Sequence, residues 1–296
     1  MAKQLTVAAI GCSGHVAEVF MRGFLAEGVS LRLLARDAET LTRRYPDATI
    51  VRGSMLNPDD VARVTDGADA VFLLTPMARL DDPANEVEAA RAVIDGVKAA
   101  GVKHLVYTSV VGAERKTGVG VLDAKFEVER LLASSGVPYT VLRCGSYMED
   151  VFDPRREQLK KGTFLFPITK SRRISWTSQK DVAPFVVREL MGKGLVLNRA
   201  VDFVAPEALS VLDIERGMTQ AAGRPVKAVP RFPALYLFPA ALPYFRRRGH
   251  RFASIIPLIR YFDRHGSVAS GETVGSLVPS FAMTSVQEHL DRLLRP

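Results

Sequence analysis

The sequence predicts an α/β protein built on a doubly wound parallel sheet, with a smaller, mixed α/β carboxy-terminal part. Three observations carry that expectation. Apolar runs of strand length alternate with helical patterns through the first half of the chain. The first run ends in a glycine-rich turn that passes straight into a helix. The 296 residues suffice for one enlarged α/β domain, or for a large domain with an appendage. Such alternation implies right-handed crossovers and helices on both faces of the sheet, which leaves the strands mostly apolar.

The first strand is Leu5 to Ile10, followed by Gly11-Cys12-Ser13-Gly14-His15-Val16-Ala17. In a βαβ unit, glycines at 11 and 14 let the backbone approach a pyrophosphate, and the helix start offers it unpaired N–H groups. Ala17, where a third glycine often stands, lets the helix pack close to the strand. A dinucleotide is the expected ligand. Val29 to Asp37 reads as the second strand, and Arg36 stands near its end. An acid there would bond the ribose hydroxyls of NAD, whereas a guanidinium pairs bidentately with the extra phosphate of NADP. NADP is therefore expected over NAD, although Asp37 beside Arg36 leaves NAD open.

Further on, Ala48 to Gly53 is the third strand, Asn57 caps a helix reaching Thr65 with Pro58 in its first turn, and Ala70 to Thr75 is the fourth strand. Glu86 to Ala100 is a long amphipathic helix ending at Gly101, and Val102 to Ser109 is the fifth strand. Asp123 to Ser135 is a helix stopped by Gly136, and Pro138 to Arg143 is the sixth strand.

Composition narrows the function classes. A hydrophobic content of 47% with 24% charged residues is that of an ordinary soluble globular protein. Met1-Ala2-Lys3-Gln4 leads straight into the first strand, so a cytoplasmic protein is expected. The longest apolar stretch, Ala234 to Phe245, is too short to span a bilayer and carries Pro239 and Pro243, so no membrane partner is expected. Cys12 and Cys144 are the only cysteines, which leaves no disulfide framework and no cysteine-rich metal site; no metal is expected. The net charge of +8 is spread over the chain, with clusters at Arg155-Arg156, Lys160-Lys161, Arg172-Arg173 and Arg246 to Arg248. No zinc spacing or recognition helix accompanies them, so specific nucleic-acid binding is not expected, and a positive field suits a polyanionic cofactor.

Several segments together resemble the NmrA-like branch of the atypical short-chain dehydrogenases/reductases, a Rossmann-fold family. They are Gly11-x-x-Gly14-x-x-Ala17, Val102 to Ser109, Lys125-x-x-x-Glu129, Val137 to Arg143 and Tyr147 to Asp150. Ile174-Ser175-Trp176 with Lys180 to Ala183 is similar to that family's return strand and helix, and Ala222 to Val226 to its carboxy-terminal domain. The resemblance implies an NADP-binding domain over residues 1–150 and a smaller substrate-binding or lid region over 151–296, with about 174–192 returning to the first. It implies cofactor contacts from Gly11, Cys12, Ser13, Gly14, His15 and Val16, from Arg36, from Leu74, Thr75 and Pro76, and from Lys125. Val121 stands where ordinary members place the proton-donating Tyr, so the standard Ser-Tyr-Lys relay is absent. Lys125 is then the leading catalytic candidate, orienting the nicotinamide ribose, unless it merely forms a helix-surface pair with Glu129.

Other positions stay open. Ser109, at the end of the fifth strand, either bonds a substrate carbonyl or caps a turn. Tyr147 is the nearest substitute phenol, or an amphipathic core aromatic. Cys12 beside a helix start is a low-pKa, redox-sensitive thiol or a small packing residue. His15 contacts a phosphate or faces solvent. Ser54 stands where an Asp near adenine is common in the family, and Cys144 where a Pro is. The aromatic-rich, proline-broken segment from Val229 to Phe262 reads as an apolar or aromatic substrate pocket, a self-association surface such as that of a homodimer, or a satellite core. The function that the resemblance implies is NADP-dependent hydride transfer to a small hydrophobic carbonyl, enone, imine or quinone. A non-catalytic NADP-sensing regulator or a non-redox enzyme on the same fold are the alternatives.

Overall fold

The computed structural model describes residues 4–75, 83–166, 168–192, 194, 196–230 and 252–294. Six parallel strands follow the expected rhythm: β1 (Thr6–Ile10), β2 (Ser30–Ala35), β3 (Thr49–Arg52), β4 (Ala70–Leu73), β5 (Leu105–Val110) and β6 (Tyr139–Cys144). Between them run α1 (His15–Ala26), α2 (Ala38–Arg44), α3 (Pro58–Thr65), α4 (Pro83–Ala99) and α5 (Gly120–Ser135). The caps are those the residues allow. Asp37 accepts from Thr40 N at α2, and Asn57 accepts from Asp59 N at α3. Gly136 closes α5 in the left-handed conformation with φ +76°. The α5 helix begins one turn earlier than expected, because the Asp123 carboxylate ties back to the backbone N–H and hydroxyl of Thr117.

Strand alternation divides the core between the two faces. Val7 and Ala9 of β1 join Phe20 and Phe24 of α1 and Phe72 of β4, where the rings meet edge to face. Ala8 and Ile10 pack on the other face, with Val61, Ala90, Val93 and Val128 of α3, α4 and α5. After β6 the chain makes β7 (Ser146–Tyr147), α6 (Met148–Phe152), α7 (Arg156–Lys160), β8 (Thr163–Phe166), β9 (Arg173–Ile174), β10 (Trp176–Thr177) and α8 (Val182–Met191). It continues with β11 (Arg199–Phe203), β12 (Leu209–Ser210), α9 (Val211–Ala222) and β13 (Lys227–Pro230), then helices at Phe252–His265, Val274–Leu277 and Val286–Leu294.

The strand order β11-β6-β5-β4-β1-β2-β3 corrects one expectation. Ile174 and Trp176 do not rejoin the main sheet; they form two-residue pairings, β9 with β12 and β10 with β7. The seventh strand of the sheet is β11, parallel to β6. Helix α8 packs Phe185 and Val186 into the core that holds α1, and Val274, Val278 and Met283 enter that same core. A second core lies beyond the sheet, around Trp176 stacked on Phe152 at 5.0 Å, with Phe164, Phe166, Ile214 and Leu290. Phe262 belongs to it, so this described aromatic of the 229–262 segment is satellite core. Phe232, Tyr236, Phe238, Tyr244 and Phe245 lie outside the described residues. Among the described residues no helix is long and apolar enough to cross a membrane.

Candidate functional site

The crevice of an open parallel sheet lies at the carboxyl ends of its strands, where the order reverses. Here that point falls between β1 and β4, which are neighbours. Gly11 follows β1 with φ +86°, and a Cβ built there would stand 1.7 Å from the Leu74 carbonyl oxygen. The first glycine thus serves the close approach of β1 to the end of β4. Gly14 behaves otherwise. It is the N-cap of α1, extended, and a Cβ built on it would meet nothing within 4 Å among the described residues. Among the described residues the first N–H groups of α1 have no side-chain cap, and nothing crowds Gly14.

Around this turn the polar side chains divide. His15 is exposed and sets Nε2 3.1 Å from Asp150 Oδ1, and Gln179 Nε2 donates to the same carboxylate oxygen at 2.7 Å. Burial raises the Asp150 carboxyl above its ordinary range. Cys12 turns into the core and donates to the Leu34 carbonyl at 3.4 Å. Burial pushes its thiol up to about 12, which favours the packing reading over the low-pKa thiol: α1 starts three residues later, and the sulfur faces apolar side chains instead. Cys144 is likewise buried, and burial pushes its thiol up to about 12. Arg36 is exposed just past β2, and no ion pair or hydrogen bond engages it among the described residues. Asp37 is occupied, since Thr40 donates to it from both hydroxyl and backbone, and those bonds lower its pKa. Ser54, at the end of the neighbouring strand, donates its backbone N–H to Asp60 at 2.8 Å. A carboxylate thus stands beside Ser54 although position 54 lacks one.

The other end of the crevice is sealed. Lys125, from α5, and Glu86, from the first turn of α4, form a 2.9 Å ion pair with each side chain 3% exposed. Lys125 Nζ also donates to Thr75 Oγ1 at 2.7 Å and to the carbonyls of Thr75 and Thr108 at 3.2 and 3.3 Å. Glu86 Oε1 further accepts from Tyr107 OH at 3.0 Å and from the Thr75 hydroxyl. Burial first, and the Glu86 charge second, hold the Tyr107 phenol well above its ordinary pKa, so it remains a donor. The alternative reading of Lys125, a surface pair with Glu129, is thereby overturned. Both side chains point inward, but toward different elements.

Glu129 belongs to a second network. Ser109 Oγ donates to Glu129 Oε1 at 2.5 Å, and Arg143 grips the same carboxylate with Nε at 3.1 Å and NH2 at 2.6 Å. Arg143 NH1 reaches Glu114, whose other oxygen accepts from Ser270, so the chain of polar contacts runs from the end of β5 to the carboxy-terminal segment. The Ser109 proton is thus committed to Glu129. Tyr147 is half-buried, edge-on to Phe20 at 6.0 Å, and packed against the core of the sheet, as expected of an amphipathic aromatic. Burial, with the neighbouring Cys144 second, raises its phenol well above the ordinary value.

The structure therefore gathers Thr75 and Lys125 at one place and Gly14 and His15 at another. Val16 is partly buried against the core, Leu74 is tied to Ile10, and Pro76 lies outside the described residues. Glu86 was not singled out in the sequence. Its signal was there, since Glu86 is in phase with Ala89, Ala90, Val93 and Val97, the buried stripe of α4. An acid within an apolar stripe asks for a buried partner.

Fold and crevice together define a doubly wound protein of the dinucleotide-binding type. The NmrA-like family matches residues 3–240, and the chain belongs to that family. It is 27% identical over 224 residues to an NAD(P)H azoreductase of Xenophilus azovorans, covering 74% of this chain and 75% of that protein. It is 24% identical over 238 residues to the photosystem II assembly factor Ycf39 of Cyanophora paradoxa, covering 79% and 73%. Among solved structures, the NADPH-dependent quinone oxidoreductase of Escherichia coli in complex with NADPH superposes with a TM-score of 0.75. That alignment covers 98% of this chain and all of the other, at 20% identity.

Proposed function

We propose that the chain is an NADPH-dependent reductase that passes hydride to an electron-poor centre of a hydrophobic acceptor, with quinones and azo compounds first in line. The observation that supports it most is the arrangement along one sheet edge: an open helix start at Gly14, an unengaged Arg36, and a buried Lys125. NADPH, when bound, supplies the hydride. The α1 N–H groups and the space above Gly14 receive the pyrophosphate, and Arg36 pairs with the 2′-phosphate. Asp37 is spent on capping α2, which removes the carboxylate that NAD would need and favours NADP. Lys125 Nζ orients the nicotinamide ribose and carries the nearest ammonium protons, in place of the missing tyrosine at Val121. Ser109 and Tyr147 keep their protons and border the acceptor, and the azoreductase and quinone oxidoreductase names of the related proteins suggest the acceptor class.

The test is anaerobic NADPH oxidation with a panel of quinones and azo dyes. Turnover that falls about a hundredfold or more in Lys125→Ala supports the reading. Tight NADPH binding without oxidation by any acceptor would contradict it. A second reading is a cofactor-responsive partner in assembly or regulation. It is favoured by the full engagement of Lys125 by Glu86, Thr75 and Thr108, and by the Ycf39 relative. NADPH-dependent co-purification of one protein partner, with no turnover, marks that outcome.

A further inference from the structure

We propose that Glu86 is the positioning residue of the nicotinamide end, fixing Lys125 in the place from which it would meet the cofactor's ribose. The proposal rests on the reading of Lys125 given above. Four elements converge on one carboxylate oxygen: Glu86 Oε1 meets Lys125 from α5, Tyr107 from β5 and Thr75 from the end of β4, while Glu86 itself comes from α4. The direction of each hydrogen bond follows from that oxygen. A carboxylate only accepts, so the Thr75 hydroxyl points its proton at Glu86 and turns a lone pair to Lys125 Nζ, 2.7 Å away. Tyr107, which stays protonated, donates to Glu86 as well.

Lysine is a poor instrument of position by itself. Its four-carbon stem loses rotamer entropy on being fixed, and its head is a point charge without a preferred plane. Here a counter-charge in a site shielded from water holds that head, where attraction is far less screened than on a surface. Thr75 and Glu86 also stand on either side of the connection between β4 and α4 in the sequence. Both ends of that connection therefore bear on Lys125.

The test uses the full chain with Glu86→Gln, which keeps shape and removes charge, and Glu88→Gln as the control on an exposed face of the same helix. Three quantities are read: the NADPH dissociation constant, the emission of the bound nicotinamide, and the single-turnover hydride-transfer rate to a quinone. Glu86→Gln is expected to bind NADPH within about threefold of the parent, yet to transfer hydride about tenfold more slowly or worse. Its bound-nicotinamide emission should match that of Lys125→Ala, and the double variant should be no slower than Lys125→Ala alone. Parental emission and rate in Glu86→Gln, or losses that simply add to those of Lys125→Ala, would overturn the proposal. If Lys125→Ala itself leaves emission and rate unchanged, the reading of Lys125 fails instead. Should Glu86→Gln not fold, Glu86→Asp keeps the charge and withdraws it by one methylene. Emission between the parent and Lys125→Ala then supports the role of Glu86, and parental emission contradicts it.

Discussion

At the Gly14 end of the crevice the groups that matter stand in solvent; at the Lys125 end they are sealed and spend their hydrogen bonds on one another. Arg36 has no partner among the described residues, and a Cβ at Gly14 would touch nothing. Lys125, Glu86, Thr75, Ser109 and Glu129 are all buried. The contrast is one of coupling. An exposed charge contributes mainly through the ligand it meets, because surface interactions within the fold are worth so little. A buried charge serves the fold and the ligand at once, since leaving its partner unpaired costs free energy whether or not a ligand is bound. Changes at the open end should alter affinity alone. Changes at the sealed end should alter stability too.

The sharpest break of that comparison comes from Glu129→Ala. It leaves Ser109 without its acceptor and Arg143, whose Nε and NH2 both donate to that carboxylate, with Glu114 as its remaining ion-pair partner. Urea unfolding should show a loss of about 3–5 kcal/mol, as for other buried pairs cut on one side. A loss below about 1 kcal/mol would place Glu129 with the surface pairs.

Acid should separate the regions next. His104 is buried and donates from Nε2 to Thr140 Oγ1 at 2.9 Å, since the Thr140 hydroxyl proton goes to the Val196 carbonyl. Burial lowers its pKa from 6.5 to about 4. The unfolded chain then binds the proton more readily than the folded one between those values. The contribution of His104 is complete above about pH 6.5 and is lost as pH falls toward 4, with a ceiling of about 3 kcal/mol. Melting temperature measured from pH 7 to 4.5 should fall less steeply in His104→Gln than in the parent. Parallel curves would mean that His104 does not carry the acid sensitivity.

The same division explains what could be read in advance. Strands β1 to β6 were legible because each is an apolar run, and the helices between several of them carry local signals such as Asn57-Pro58 and Gly136. β11 was not, because Asp202 interrupts its apolar pattern, and that carboxylate is satisfied by the backbone N–H groups of Ser270 and Gly271, far away in sequence. The two-residue strands β7, β9 and β10 have no period at all; only long-range pairing makes them. In the crevice, the glycine turn is a local feature and was read, whereas the i,i+4 spacing of Lys125 and Glu129 suggested a contact that tertiary structure replaces with Glu86. Of the two readings of Cys12, the structure selects the packing one. Its place near a helix start was visible, but the direction of its side chain into the core was not.

Selection of NADPH by the open end of the crevice is measured by a fluorescence titration of the parent and of Arg36→Ala with NADPH and with NADH. The parent should bind NADPH more tightly than NADH, and Arg36→Ala should weaken NADPH about tenfold, near 1.4 kcal/mol, with NADH binding and thermal stability unchanged. Failure of the parent to bind either nucleotide, or equal loss of both in Arg36→Ala, would contradict that selection.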